Sequence, residues 1–214
     1  VDTFTLIADE RRALADVLEQ LTPQQWSAPS LCRGWTIHDL TAHLVMGLET
    51  TMPEFLRTLM MSRGNFDRAN VKLTARWSTR DSGDLTAALR RHADSRFTPP
   101  GQGPAAPLVE ILVHAMDVRR ALDIDRPIPP ESVRPALDFL AAFRLPPGAP
   151  GPNLVPRGLL DRLQLEATDL DWFSGRGAAA RGTGADLLLA VTGRRVGADQ
   201  LTGPGAEILQ RRLT

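Results

Sequence analysis

Between Leu108 and Val118 the chain is apolar on nearly every side, and the polar residues that interrupt it share one stripe. Glu110 and His114 stand four residues apart, so on a helix their headings differ by only about 40°, and Asp117 continues the same line. Around them lie Leu108, Val109, Ile111, Leu112 and Val113, which suit the interior of a helical bundle. A carboxylate and an imidazole are costly to bury there. The cost falls if a divalent cation takes their lone pairs. Two ligands do not complete a site, and His43 is the best candidate for a third.

The rest of the first 145 residues supplies the bundle. Residues 4–21 carry Ile7, Leu14, Val17, Leu18 and Leu21 at helical spacing, with Glu10, Arg11 and Glu19 on the opposite face. Thr36 and Asp39 read as a capping box that opens a second helix through Leu40, His43 and Leu44. That helix reaches toward Met61 with a kink or break near Pro53. Residues 65–83 are polar and irregular and read as a loop, and residues 84–97 as a third helix with Leu85, Ala88, Leu89 and Phe97 inward. Residues 108–122 form the fourth helix and 131–143 a further one, which together predict an antiparallel bundle.

The Pro/Gly-rich stretch at 145–152 breaks this texture and is the best domain boundary in the chain. We place the bundle at 1–145, a linker at 146–153 and a small α/β domain at 154–214. In the latter, residues 162–167 alternate like a strand and 178–182 suit a partner strand. Residues 169–177 read as a turn between them. Residues 185–192 make a short apolar helix, 193–195 a turn, and 205–213 a terminal helix.

Bulk properties exclude several partners. Lys+Arg and Asp+Glu balance at 25 each, so nothing favours nucleic acid or an anionic membrane. Cys32 is the one cysteine, so no intrachain disulfide forms, and a reducing cytoplasm fits. Residues 1–10 lack an apolar core typical of a signal peptide, and no run approaches the ~20 apolar residues of a membrane span. The expectation is a soluble, cytoplasmic protein acting on a small molecule.

Two imidazoles and one carboxylate, His43, Glu110 and His114, with a fourth position open, form a pattern used by catalytic zinc. The bland alternative is a solvated histidine and an unrelated ion-paired Glu/His. His38 lies about 140° round the helix from His43 and should point elsewhere. His92, among Arg90, Arg91 and Asp94, reads as a solvated-face residue. Asp117 is either an acceptor orienting a ligand histidine or the partner of Arg119 or Arg120. Cys32 has three readings: a nucleophile with a histidine base, a soft fourth ligand, or a small buried apolar residue. Trp26 and Trp35 flank its loop as packing anchors. Gly193-Arg194 suits an anion-binding turn. The glycines from Gly175 to Gly184 match neither a P-loop nor a dinucleotide fingerprint.

The stretch Trp26…Pro29-Ser-Leu-Cys-Arg-Gly-Trp-Thr-Ile-His-Asp-Leu-Thr-Ala-His43-Leu resembles the opening motif of the mycothiol-dependent maleylpyruvate isomerase family. That family is a branch of the DinB-like metal-binding four-helix bundles. Glu110-x-x-x-His114-x-x-Asp117 resembles its second motif. Asp169-Leu-Asp-Trp172, Gly184-x-Asp186-Leu-Leu-Leu-x-x-x-x-Gly193-Arg194 and Leu201-Thr-Gly-x-Gly205 resemble its small C-terminal domain. The resemblance implies zinc, or another divalent metal, on His43, Glu110 and His114, with water or the thiolate of mycothiol in the open position. It implies that the thiolate adds to the cis double bond of maleylpyruvate, that rotation follows, and that elimination leaves fumarylpyruvate. Arg194 then neutralises substrate carboxylates, and Asp117 serves the ligand histidine. Isomerisation or S-transfer on a small electrophile is the expected activity. The rivals are a non-catalytic ligand-binding or stress-responsive bundle with a structural metal, and a thiol-independent zinc hydrolase.

Overall fold

The computed structural model describes residues 2–144 and 151–213, and these divide into two compact units. Residues 145–150, the last of the expected bundle and most of the expected 146–153 linker, lie outside the described residues. The first unit comprises residues 2–125 with 151–152, and the second residues 126–144 with 153–213.

In the first unit, side-chain caps start most helices. Asp2 caps α1 (Thr3–Leu18), and Thr22 with Gln25 forms a capping box on the short α2 (Pro23–Trp26). The expected box of Thr36 and Asp39 opens α3 (Ile37–Glu49). The chain breaks before Pro53, which occupies the first turn of α4 (Met52–Met61), where its missing N–H costs nothing. Asp81 caps α6 (Ser82–Arg91), and α7 (Ala105–Ala121) follows the Pro/Gly segment. Helices α1, α6, α3 and α7 pack in a ring, each against the next, and close a four-helix bundle. Leu14 and Leu18 of α1, Leu40 of α3, Leu89 of α6 and Leu108 and Leu112 of α7 are fully buried in it.

Three expectations change here. Residues 65–83 are not a loop: Asn65 caps α5 (Phe66–Trp77), which packs on α3 through the buried Ala69, Leu73 and Thr74. That apolar stripe is narrow, and its polar flanks masked it. Phe97 lies beyond α6 and is 48% exposed. Glu10 and Arg11 of α1 are buried, at 5% and 4% exposure, where a solvent face was expected. Each has an internal partner that lowers the cost. Arg11 Nη1 donates to the carbonyls of His92, Ala93 and Ser95 just after α6, and Arg119 of α7 donates to Glu10.

A second polar hub lies at the end of α3. Glu49 accepts from Trp77 Nε1 at 3.4 Å and Arg80 Nη1 at 2.7 Å, with His92 Nε2 at 3.3 Å. Partial burial pushes this carboxyl up, but the hydrogen bonds from Trp77 and Arg80 and the charges of Arg80 and His92 outweigh it. The net direction is down. Such a group stabilises the fold above its unfolded pKa, and that contribution is lost as pH falls through the folded one. Glu49→Gln should therefore cost roughly 1 kcal/mol near neutrality. In urea titrations the gap from wild type should shrink below about pH 4. A gap constant down to pH 3 would remove the charge from this account.

The second unit holds α8 (Pro130–Ala142), strands β1 (Leu163–Ala167), β2 (Phe173–Gly175) and β3 (Ala178–Gly182), and helices α9 (Gly184–Val191), α10 (Arg195–Ala198) and α11 (Pro204–Arg212). The sheet is mixed, in the order β2-β1-β3, with β1 antiparallel to β2 and parallel to β3. The expected pairing of 162–167 with 178–182 is present. The intervening turn contains an edge strand, and Gly177 (φ +137°) lets it pass so close to Arg162 O that a Cβ would overlap that oxygen. Helix α8, expected to join the bundle, groups with this unit. It packs on α9, and the buried Trp172 donates from Nε1 to Asp138 Oδ1 at 2.7 Å.

Candidate metal centre

All members of the expected constellation except Arg194 belong to the first unit. His43 sits in the second turn of α3, with the indole of Trp35 against its ring at a centroid distance of 5.1 Å. Glu110 and His114 project from α7, as the stripe required. His43 Nε2 lies 3.5 Å from Glu110 Oε1, and the rings of His43 and His114 meet edge to face at 5.1 Å. The structure thus brings His43, Glu110 and His114 together.

His43 is 8% exposed, whereas the Glu110 side chain retains 40% of its surface, so the pair opens to solvent on the carboxylate side. Burial works against charge on Glu110, but hydrogen bonding with His43 and the charges of His43, His114 and Arg11 more than offset it. Its carboxyl sits below the usual range and is ionised at neutral pH. Arg11 was assigned to solvent in the sequence reading, and its electrostatic link to Glu110 was missed. Only a pairing partner inside the bundle could have revealed it.

Asp117 is fully buried, and its Oδ2 lies 3.0 Å from His114 Nδ1. With Asp117 Oδ2 as the acceptor, the imidazole proton lies on Nδ1 and the lone pair on Nε2. Cys32 joins the same oxygen: its Sγ donates to Asp117 Oδ2 at 3.1 Å and lies 3.7 Å from His114 Nδ1. Its loop is held by Ser30 N donating to Trp35 O, Trp35 N to Cys32 O and Ile37 N to Ala28 O. Gly34 (φ +81°) makes the turn. Among the described residues, Cys32, His114 and Asp117 each offer a ligand atom within 4.8 Å of the others, so this trio is a group able to hold a cation. Two of the three readings of Cys32, a soft ligand and a nucleophile beside a histidine, placed it near this centre, but spacing alone did not name Asp117 as its neighbour.

The remaining histidines serve structure. His38 Nε2 is 3.0 Å from Arg80 O, and its ring meets Trp26 edge-on. That makes it half-buried and bonded where an exposed residue was expected. His92 joins the Glu49 hub. Arg194 lies in the second unit, half-buried beside Gly193, with Nη1 donating to Thr192 O at 2.8 Å.

Comparison with known proteins adds to this geometry. The model of the mycothiol maleylpyruvate isomerase N-terminal domain matches residues 7–119, which cover most of the bundle and include every side chain of the centre. The chain belongs to the mycothiol maleylpyruvate isomerase N-terminal domain family. Two solved structures share its fold. One is the mycothiol-dependent maleylpyruvate isomerase as a histidine-to-alanine mutant, at 17% identity and a TM-score of 0.59. The other is the mycothiol-dependent maleylpyruvate isomerase itself, at 17% identity and a TM-score of 0.55. Each comparison covers 95% of this chain and 92% of the other. No curated protein matches the chain in sequence. The isomerase-like fold thus extends beyond the bundle to the small C-terminal sheet and its helices. Among the described residues, no helix is long and apolar enough to cross a membrane.

His43, Glu110 and His114 offer the nitrogen and oxygen donors that a divalent cation takes. A hydrogen-bonded ion pair between imidazolium and carboxylate closes to about 2.7–2.9 Å. The 3.5 Å between His43 Nε2 and Glu110 Oε1 is a long contact for such a pair, and it is close to the edge of a tetrahedral shell, ~3.4 Å for bonds of ~2.1 Å. His43 Nδ1 is buried without a hydrogen-bond partner.

Proposed function

We propose that the chain is a metal-dependent enzyme in which His43, Glu110 and His114 hold a divalent cation, zinc by preference. In this reading it uses a low-molecular-weight thiol, mycothiol, for cis–trans isomerisation or S-transfer on a small electrophile. The observation that carries the reading is the spacing of His43 Nε2 and Glu110 Oε1 beside a His114 whose other nitrogen is already anchored. When bound, such a cation supplies Lewis acidity that keeps a thiol ionised near neutral pH.

The chain's own residues account for the rest. Asp117 holds the Nδ1 proton of His114, which fixes the ring and directs Nε2 lone-pair outward. Trp35 covers one face of His43 and excludes water there. Glu110 is ionised and partly exposed, so it can coordinate without closing the site to a substrate. Arg194 is the cation proposed to meet substrate carboxylates. Its support is the match of Gly184-x-Asp186-Leu-Leu-Leu-x-x-x-x-Gly193-Arg194 to the C-terminal pattern of the isomerase family.

The test joins metal analysis to turnover. Purified protein should carry about one divalent ion per chain, and His43→Ala and His114→Ala should carry none at the same concentration. Maleylpyruvate and other α,β-unsaturated acids should turn over only when mycothiol is added. Protein that neither holds nor takes up metal sinks the proposal, and metal-dependent turnover without thiol replaces it with hydrolysis.

A second reading rests on the group formed by Cys32, His114 and Asp117. There the cation is structural, the set is softer, and His43 and Glu110 are bystanders.

A further inference from the structure

Helices α4 and α5 form a hairpin whose turn passes through Arg63 and Gly64, both at positive φ. Phe55 of α4 and Phe66 of α5 meet edge to face at 5.8 Å. α4 contributes no buried residue to the protein. Met52, Leu56 and Met60 recur every fourth residue along it, at 40%, 49% and 73% exposure, so one whole apolar stripe faces water. Three of the chain's five methionines lie on this helix, and methionine adapts its shape to varied apolar ligands.

Between the two helices lies a cleft of about 660 Å³, within the ~300–1,000 Å³ typical of small-molecule sites. Pro53, Arg57 and Met61 line it from α4 at successive four-residue steps, and Lys72 and Arg76 line it from α5. Glu54 also lines it, but that carboxylate is paired with Arg76 at 2.6 Å. The side chains of Arg57 and Lys72, the chain's one lysine, have no hydrogen-bond or ion-pair partner among the described residues. Two uncompensated cations therefore share one concave site with Pro53 and Met61, beside an exposed apolar stripe.

We propose that this cleft binds a small anionic amphiphile, a single-chain organic acid whose carboxylate meets Arg57 and Lys72 and whose chain lies on Met61 and the Met52/Leu56/Met60 stripe. Charge complementarity selects the head group, because the cleft carries three cations against one carboxylate. Concavity selects a small molecule over a membrane surface. A flat anionic bilayer would also meet Glu54, and the chain's zero net charge gives no long-range attraction to it. The site uses none of the residues of the metal centre, so it stands independently of the function proposed above.

The probe is decanoate, titrated calorimetrically into the full chain, with Trp77 fluorescence as a second signal because Arg76 packs over that ring. Saturable one-to-one binding is expected. Arg57→Gln and Lys72→Gln, both at exposed positions, should each weaken it about tenfold or more, the loss of one charge-assisted contact. Met61→Glu should abolish it, and His114→Ala should bind as wild type does. Retained binding in the Arg57→Gln, Lys72→Gln double variant overturns the site, as does its loss in His114→Ala. Inorganic phosphate binding as tightly as decanoate would remove the apolar half of the proposal. Binding to anionic phosphatidylglycerol vesicles without binding of monomeric decanoate would reassign the hairpin to a lipid surface.

Discussion

Asp117→Asn should weaken metal binding by about ten- to hundredfold while leaving the bundle folded. The expectation follows from one oxygen. Asp117 Oδ2 accepts from His114 Nδ1 at 3.0 Å and from Cys32 Sγ at 3.1 Å, and the side chain has no exposed surface. Asparagine is nearly isosteric, so packing survives, but its neutral amide holds the Nδ1 proton less strongly. The Nε2 lone pair is then less basic and less well aimed. Direct metal titration with a chromophoric competitor reads the change, and circular dichroism checks the fold.

The same variant, set beside two others, separates the competing metal sites. If His43, Glu110 and His114 are the ligands, Cys32→Ser is near neutral for stoichiometry and His43→Ala abolishes binding. If Cys32, His114 and Asp117 are the ligands, the order reverses: Cys32→Ser and Asp117→Asn each remove a ligand, and His43→Ala leaves the ion in place. An unchanged affinity in Asp117→Asn would show that the buried carboxylate neither ligates nor positions. The result would then rest on His114 packing alone.

What could be read from the chain beforehand divides along physical lines. The stripe of Glu110, His114 and Asp117 was legible because helical period is local information, and so was the Thr36/Asp39 cap that sets the phase of His43. The break at Pro53 was legible for the same reason. Helix α5 was not, because its buried face is only Ala69, Leu73 and Thr74, and the polar residues around them carry no periodic signal. The placement of α8 with the sheet depends on Asp138 meeting Trp172, a pairing 34 residues apart that no local pattern announces. Cys32 illustrates the same limit at the site. Its contact with Asp117 spans 85 residues and exists only because a short loop is tied back over the bundle. The buried Glu10 and Arg11 were misplaced because charge predicts exposure unless a partner is known, and the partners lie on α7 and beyond α6.

Those buried charges set the largest stability effect expected in the protein. Glu10→Ala should destabilise the chain by about 3–5 kcal/mol, because it leaves Arg119 charged in the core without its counter-ion. The side chains of Glu10 and Arg119 retain only 6% and 3% of their surface, so water cannot replace the lost partner. Arg119 has little reserve, since its Nε and Nη2 are already buried without hydrogen-bond partners. Arg11 does not share this exposure to loss, because its three carbonyl acceptors survive the substitution. For a chain of this size the midpoint of thermal unfolding should fall by on the order of 10 °C. The double replacement Glu10→Leu, Arg119→Met should recover most of that loss, since it removes both desolvation costs together and fills the space with apolar volume. A single Glu10→Ala costing less than 1 kcal/mol would mean that the pair is solvated in solution, and that α1 and α7 are held by their apolar contacts alone.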